Sequence, residues 1–117
     1  MKKIYHLSTC DTCRRIIEAL NPPADTEFRE IKTAPLTRGE LEALKAMAGS
    51  YEALFNKRAR LYRERNLGAQ TLGETDYRDL LLEHYTFLKR PVVVAGEQLF
   101  VGNAAKTVAA AKEALHS

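Results

Sequence analysis

The chain has 117 residues, 45% of them hydrophobic and 28% charged, with a net charge of +3. This is the profile of one globular domain that can bury a core without disulfide staples. So mild a basic balance argues against a nucleic-acid-binding face, no apolar run nears the roughly 18 residues that span a bilayer, and the N-terminus has no secretory pattern, so a single cytoplasmic domain over residues 1–117 is expected, without membrane or direct nucleic-acid contact.

Lys2 to Leu7 reads as a buried strand. Small polar residues suited to a helix cap follow, and Thr12 to about Leu20 has helical spacing, with Ile16, Ile17 and Leu20 inward and Asn21-Pro22-Pro23 as the stop. Thr26 to Ile31 alternates and predicts a second strand, with Phe28 and Ile31 against the core. One helix between two strands is a βαβ unit, which implies parallel pairing.

The middle is helical. Thr37-Arg38-Gly39-Glu40 has capping-box spacing, with Leu41, Leu44 and Ala48 in helical period after it. Ser50 is placed to cap a short segment carrying Tyr51, Leu54 and Phe55, and Thr75-Asp76 to start a helix with Tyr77, Leu80, Leu81 and Tyr85 on or near one face. Val92-Val93-Val94 predicts a third strand, Ala95-Gly96-Glu97-Gln98 a hairpin turn, and Leu99-Phe100-Val101 the return. Asn103 is expected to cap a last helix that runs through Leu115.

The chemistry concentrates at Cys10 and Cys13, the only cysteines, where the first strand hands over to the first helix. Unpaired N–H groups at a helix start favour negative charge, so a thiolate there has a lowered pKa and is a usable nucleophile. Cys10 lies nearer the helix entry and is the expected nucleophile; Cys13, one turn on, is in reach of it as the resolving thiol. Zinc needs four ligands, and His6, His84 and His116 show no paired spacing, so no metal site is expected. The bland alternative is a pair of small buried residues that happen to be cysteine.

Several neighbours bear on the pair. Asp11 opposes a thiolate by like charge. Arg14 and Arg15 either approach the thiols or form a solvated helix face. His6, on the strand leading into the loop, either supports the thiolate or is a hydrogen-bonded core residue. Proline at a strand start gives no N–H to the sheet, which singles out Arg90-Pro91. Lys57, Arg58, Arg60, Arg63 and Arg65 put five positive charges in nine residues, read as a solvated face with Arg58 the exception.

Ile4-Tyr5-His6 ahead of Cys10, Thr12 and the helix after it, Asn56-Lys57-Arg58 with Tyr62 and Leu67, Arg90-Pro91-Val92-Val93-Val94, and Val101-Gly102 together carry a resemblance. Over essentially its whole length the chain resembles the arsenate reductase-like (ArsC, Spx and YffB type) family of the thioredoxin superfamily. The resemblance implies an α/β, thioredoxin-like fold: a four-stranded mixed sheet with helices on both faces and a helical insertion between strands 2 and 3. It implies a cis bond before Pro91, with Arg90 beside Cys10 as oxyanion ligand, and matches His6 to a histidine that assists the cysteine.

The implied activity is that of a thiol-dependent oxidoreductase, arsenate reductase-like. Cys10 attacks, and Arg90, Arg58, Pro91 and His6 form the substrate-binding site. No bound cofactor is expected; glutathione with glutaredoxin, or thioredoxin, is the implied electron donor. The expected partners are a small oxyanion or a thiol or disulfide substrate, and a redox partner protein. Two of the family's arginine positions are Asn56 and Gly102 here, and Cys13 stands where the enzymes carry serine, as in Spx-like redox switches. The alternative is therefore a redox-sensing transcriptional regulator that binds RNA polymerase.

Overall fold

The computed structural model describes all residues, Met1–Ser117. Elements follow the order β1 (Lys2–His6), α1 (Asp11–Leu20), β2 (Glu27–Glu30), α2 (Arg38–Ala48), α3 (Arg60–Glu64), α4 (Glu74–Glu83), β3 (Val92–Ala95), β4 (Gln98–Val101) and α5 (Ala105–Leu115). The chain divides into two compact units, Met1–Ala34 with Arg90–Ser117, and Pro35–Lys89. No helix is long and apolar enough to cross a membrane.

The first unit holds a four-stranded sheet in the order β2-β1-β3-β4. β1 pairs with β2 in parallel and with β3 antiparallel, and β3 pairs antiparallel with β4, so the sheet is mixed as expected. The β1-α1-β2 segment is the predicted crossover unit. Lys3, opposite Glu27 in the ladder, donates an ion pair to it at 2.9 Å and fixes that register. β3 and β4 join through Gly96-Glu97, where Gly96 has φ +62°, a left-handed conformation that a residue with a Cβ adopts only with strain.

Residues on one sheet face set this unit's core. Ile4 of β1 and Val93 and Ala95 of β3 pack with Leu20 of α1 and Ala111 and Leu115 of α5, with Ile16, Ile17, Phe100 and Val108 around them. α1 ends at Asn21, whose backbone is left-handed and whose N–H returns to the carbonyls of Ile17 and Glu18.

Phe28 departs from expectation: it is 48% exposed, whereas Ile31 is buried. β2 is an edge strand, and the apolar cluster on the face of Ile4, Phe28's ladder partner, includes no residue of β2. Phe28 instead sets its ring edge-on to His6, 5.7 Å between centroids. Asn103 does not cap α5; the N-cap is Ala104, with no side-chain hydrogen bond.

The second unit follows its sequence signals closely. Thr37 and Glu40 form the capping box of α2, with Oγ1 accepting from the Glu40 N–H at 3.1 Å and the Glu40 carboxylate from the Thr37 N–H at 2.9 Å. Gly49 ends α2 with φ +96°. Ser50 Oγ accepts from the Ala53 N–H at 3.1 Å. α4 starts at Glu74, one residue earlier than predicted, because Asp76 reaches back to the Gly73 N–H at 2.8 Å. Tyr85 lies beyond α4, in a short 3-10 turn. Phe55 gathers the apolar interior, stacking on Phe87 at 5.2 Å and contacting Tyr77 and Tyr62.

Candidate active site

Cys10 stands at the N-cap position of α1 with extended backbone, φ −93° and ψ 114°, and Asp11 begins the helix. The turn before it is closed by the Cys10 N–H donating to the Leu7 carbonyl at 3.0 Å. No side-chain oxygen caps the helix, so its first amides remain oriented toward the sulfur region. Cys10 is half-buried; Cys13, one turn into α1, is 0% exposed. Both are free thiols.

Their environments drive the two thiols apart. Burial works against a Cys10 thiolate, but it is outweighed by the Cys13 backbone N–H and thiol, which face the Cys10 sulfur, and by the charge and hydrogen bonding of Arg90. The net effect holds Cys10 below the ordinary thiol range. Cys13 is pushed up to about 11, first by burial and then by the negative charge of Cys10. The Leu7 backbone amide and Arg90 offset only part of that rise. Cys10 is therefore the more readily ionised of the two sulfurs, and Cys13 the proton-bearing thiol.

Arg90 precedes Pro91 across a cis peptide bond, and the pair leads directly into β3. Pro91 is fully buried, and its carbonyl accepts the Gly102 N–H at 3.0 Å. That bond ties the Arg90-Pro91 corner to the residue after β4. Gly102 has φ +92°, a backbone conformation that favours glycine, and nothing lies within 4 Å of where a Cβ would stand.

His6 ends β1 with its ring against Phe28, while its carbonyl accepts the Ile31 N–H at 3.0 Å. The groups acting on Cys10 are Cys13 and Arg90. Arg14 is engaged by Asp11 in an exposed ion pair one turn apart, which compensates the like charge beside Cys10. Arg58 lies in the other unit; it is exposed, and its backbone N–H donates to Asn56 Oδ1 at 3.0 Å. Around it the basic segment is neutralised pairwise, Lys57 by Glu52, Arg60 by Glu64 and Arg65 by Glu83. No three His, Cys, Asp or Glu side chains converge as metal ligands would.

One further contact at this turn has no local signal among the residues. Glu30, at the end of β2, accepts from the Ser8 N–H through both carboxylate oxygens at 3.3 Å and from the Ser8 hydroxyl at 3.2 Å. The partners are 22 residues apart, and only the register that sets Glu30 opposite His6 makes them neighbours.

A family model described as the ArsC family matches residues 5–111. An arsenate reductase from Escherichia coli strain K12 is 32% identical over 93 residues, covering 78% of this chain and 66% of that protein. The chain thus matches about two thirds of the length of that enzyme. A global transcriptional regulator Spx from Streptococcus pyogenes serotype M1 is 23% identical over 105 residues, 87% of this chain and 78% of the regulator. The solved structure of an arsenate reductase from Vibrio cholerae has a TM-score of 0.78 at 25% identity, covering 93% of this chain and 95% of that one.

Proposed function

The chain belongs to the ArsC family, and from that premise we propose that it is a thiol-dependent oxidoreductase acting in the cytoplasm, with Cys10 as nucleophile and Cys13 as resolving thiol. The observation that carries this reading is the opposed tuning of the two sulfurs, Cys10 lowered with Arg90 beside it and Cys13 raised to about 11 and buried. A nucleophile needs to be an anion at working pH, and a resolving thiol needs to stay unreactive until the first bond has formed.

With a disulfide substrate, the Cys10 thiolate attacks one sulfur and expels the other as a thiolate. Cys13 then gives its proton to solvent and attacks the Cys10 sulfur. The second substrate thiolate leaves, and a Cys10–Cys13 disulfide holds the two electron equivalents of oxidation. With arsenate, Cys10 displaces hydroxide from arsenic; attack by Cys13 on the Cys10 sulfur sends the electron pair to arsenic and releases arsenite. Arg90 holds the negative charge of the bound oxyanion or of the departing thiolate, with His6 and Pro91 shaping the site. The internal disulfide is reduced by a dithiol donor of the thioredoxin type, or by glutathione with glutaredoxin.

The second reading, a redox-sensing regulator that binds RNA polymerase, is favoured by the likeness to Spx over 87% of the chain together with the paired cysteines. Both readings use the same sulfurs, and a partner separates them. Turnover of arsenate or a small disulfide with a dithiol donor, lost in Cys10→Ser and arrested as a mixed disulfide in Cys13→Ser, supports the enzyme. Full turnover in both variants refutes the assigned roles. Capture of polymerase subunits by only the oxidised or only the reduced protein, with no turnover, establishes the regulator instead.

A further inference from the structure

We propose that Glu30 is a positioning residue for the nucleophile: by gripping Ser8 it holds the Leu7–Cys10 turn in the geometry that brings Cys10 against Cys13 and Arg90. This rests on the reading of Cys10 as the reactive thiol. The carboxylate accepts the Ser8 N–H at 3.3 Å through both oxygens and the Ser8 hydroxyl at 3.2 Å. Ser8 lies inside the tight turn that ends with the Cys10 N–H on the Leu7 carbonyl at 3.0 Å.

The grip works because Glu30 itself is fixed. It is the last residue of β2 and sits opposite His6 in the parallel ladder. Its carbonyl accepts the Ala34 N–H at 2.9 Å, and the next residue, buried Ile31, donates its N–H to the His6 carbonyl at 3.0 Å. Arg29 Nε closes the same corner on the Ala34 carbonyl at 2.8 Å. The strand end is a rigid post and the Cys10 turn is tethered to it. Apart from the tether, the turn has its own Cys10-to-Leu7 hydrogen bond and the Leu7 amide facing Cys13, while the Arg14 N–H on the Cys10 carbonyl at 3.1 Å joins only its far end to α1.

Two rival roles for Glu30 predict other outcomes. If it acted only through its charge, removing it would relieve like-charge repulsion and make the Cys10 thiolate easier to form. If it were only a staple of the fold, its loss would lower thermal stability and leave Cys10 chemistry alone. Positioning predicts the opposite of the charge effect: a looser turn spends less time against Cys13 and Arg90, and the thiolate becomes harder to form.

The experiment is the rate of iodoacetamide alkylation at Cys10 against pH, read by mass spectrometry, in wild type, Glu30→Ala, Glu30→Gln and Ser8→Ala, with circular dichroism as the fold control. In Glu30→Ala the midpoint moves up and the rate at neutral pH falls about threefold, the scale of a weak hydrogen bond partly lost. Glu30→Gln keeps an acceptor oxygen and stays at the wild-type midpoint; Ser8→Ala loses only the hydroxyl and lies between. A midpoint that is unchanged or lower in folded Glu30→Ala overturns the proposal. If that variant does not fold, the other two decide: an upward move in Ser8→Ala with none in Glu30→Gln supports it, and any other pattern overturns it. A wild-type midpoint in the ordinary thiol range refutes the nucleophile reading and this inference together, whereas a low wild-type midpoint with unmoved variants removes Glu30 alone.

Discussion

In Cys10→Ser the chain keeps one thiol, Cys13, and its reactivity measures how deeply the fold protects the second sulfur. Cys13 is 0% exposed, and it is pushed from an ordinary 9.0 to about 11, first by burial. Those figures lower the thiolate population at neutral pH by about 100-fold relative to a free thiol. The variant removes the negative charge of Cys10, a smaller contributor than burial, so the greater part of the protection remains. We expect native Cys10→Ser to react with iodoacetamide at pH 7 at least about tenfold more slowly than the same protein in urea, with lost access to reagent slowing it further. Quenched time points resolved by mass give both rates directly. Equal rates in the native and unfolded protein would show that Cys13 is neither buried nor raised, and the division of labour between the two thiols would fail.

The same shifts set a pH dependence of stability. Cys13, raised in the folded state, contributes stability that is complete below its unfolded value and is lost as pH rises through about 11, in all about 2–3 kcal/mol. Cys10, lowered in the folded state, contributes above its unfolded value and loses that contribution as pH falls through its folded one. Urea unfolding of the reduced protein from pH 8 to 11 should therefore show a decline that flattens in Cys13→Ala; an identical decline in both refutes the assignment. Arg90→Met keeps much of the side-chain volume but removes a charge that favours the Cys10 thiolate, so Cys10 alkylation at neutral pH should fall about two- to threefold; an unchanged rate removes Arg90 from the site. Leu20→Ala empties a fully buried place in the α1–α5 cluster and should cost about 3–4 kcal/mol in urea unfolding, and a loss below about 1 kcal/mol would mean that the cluster is not close-packed.

What could be read from the residues, and what could not, divides by range. Signals that act within a few positions were legible: the Thr37–Glu40 capping box, the Gly96 turn, the Asn21 stop, and the cysteine pair at a strand-to-helix junction. The cis bond before Pro91, which the family resemblance implied, is present. Phe28 was misread because alternation says which residues share a face and not whether another layer covers it; at an edge strand it does not. Asn103 has a capping residue's chemistry one position too early. The Glu30–Ser8 contact was invisible because it exists only once β1 and β2 are in register.

The Leu7 backbone amide, the first after β1, faces the Cys13 sulfur. A hydrogen on a backbone nitrogen is thus in electronic touch with the thiol assigned the resolving role. Joining that sulfur to its neighbour would change what the nitrogen senses. If the pair cycles as proposed, the Leu7 amide resonance is expected to shift between dithiol and disulfide, a built-in indicator with which the redox balance of the pair can be titrated without a substrate.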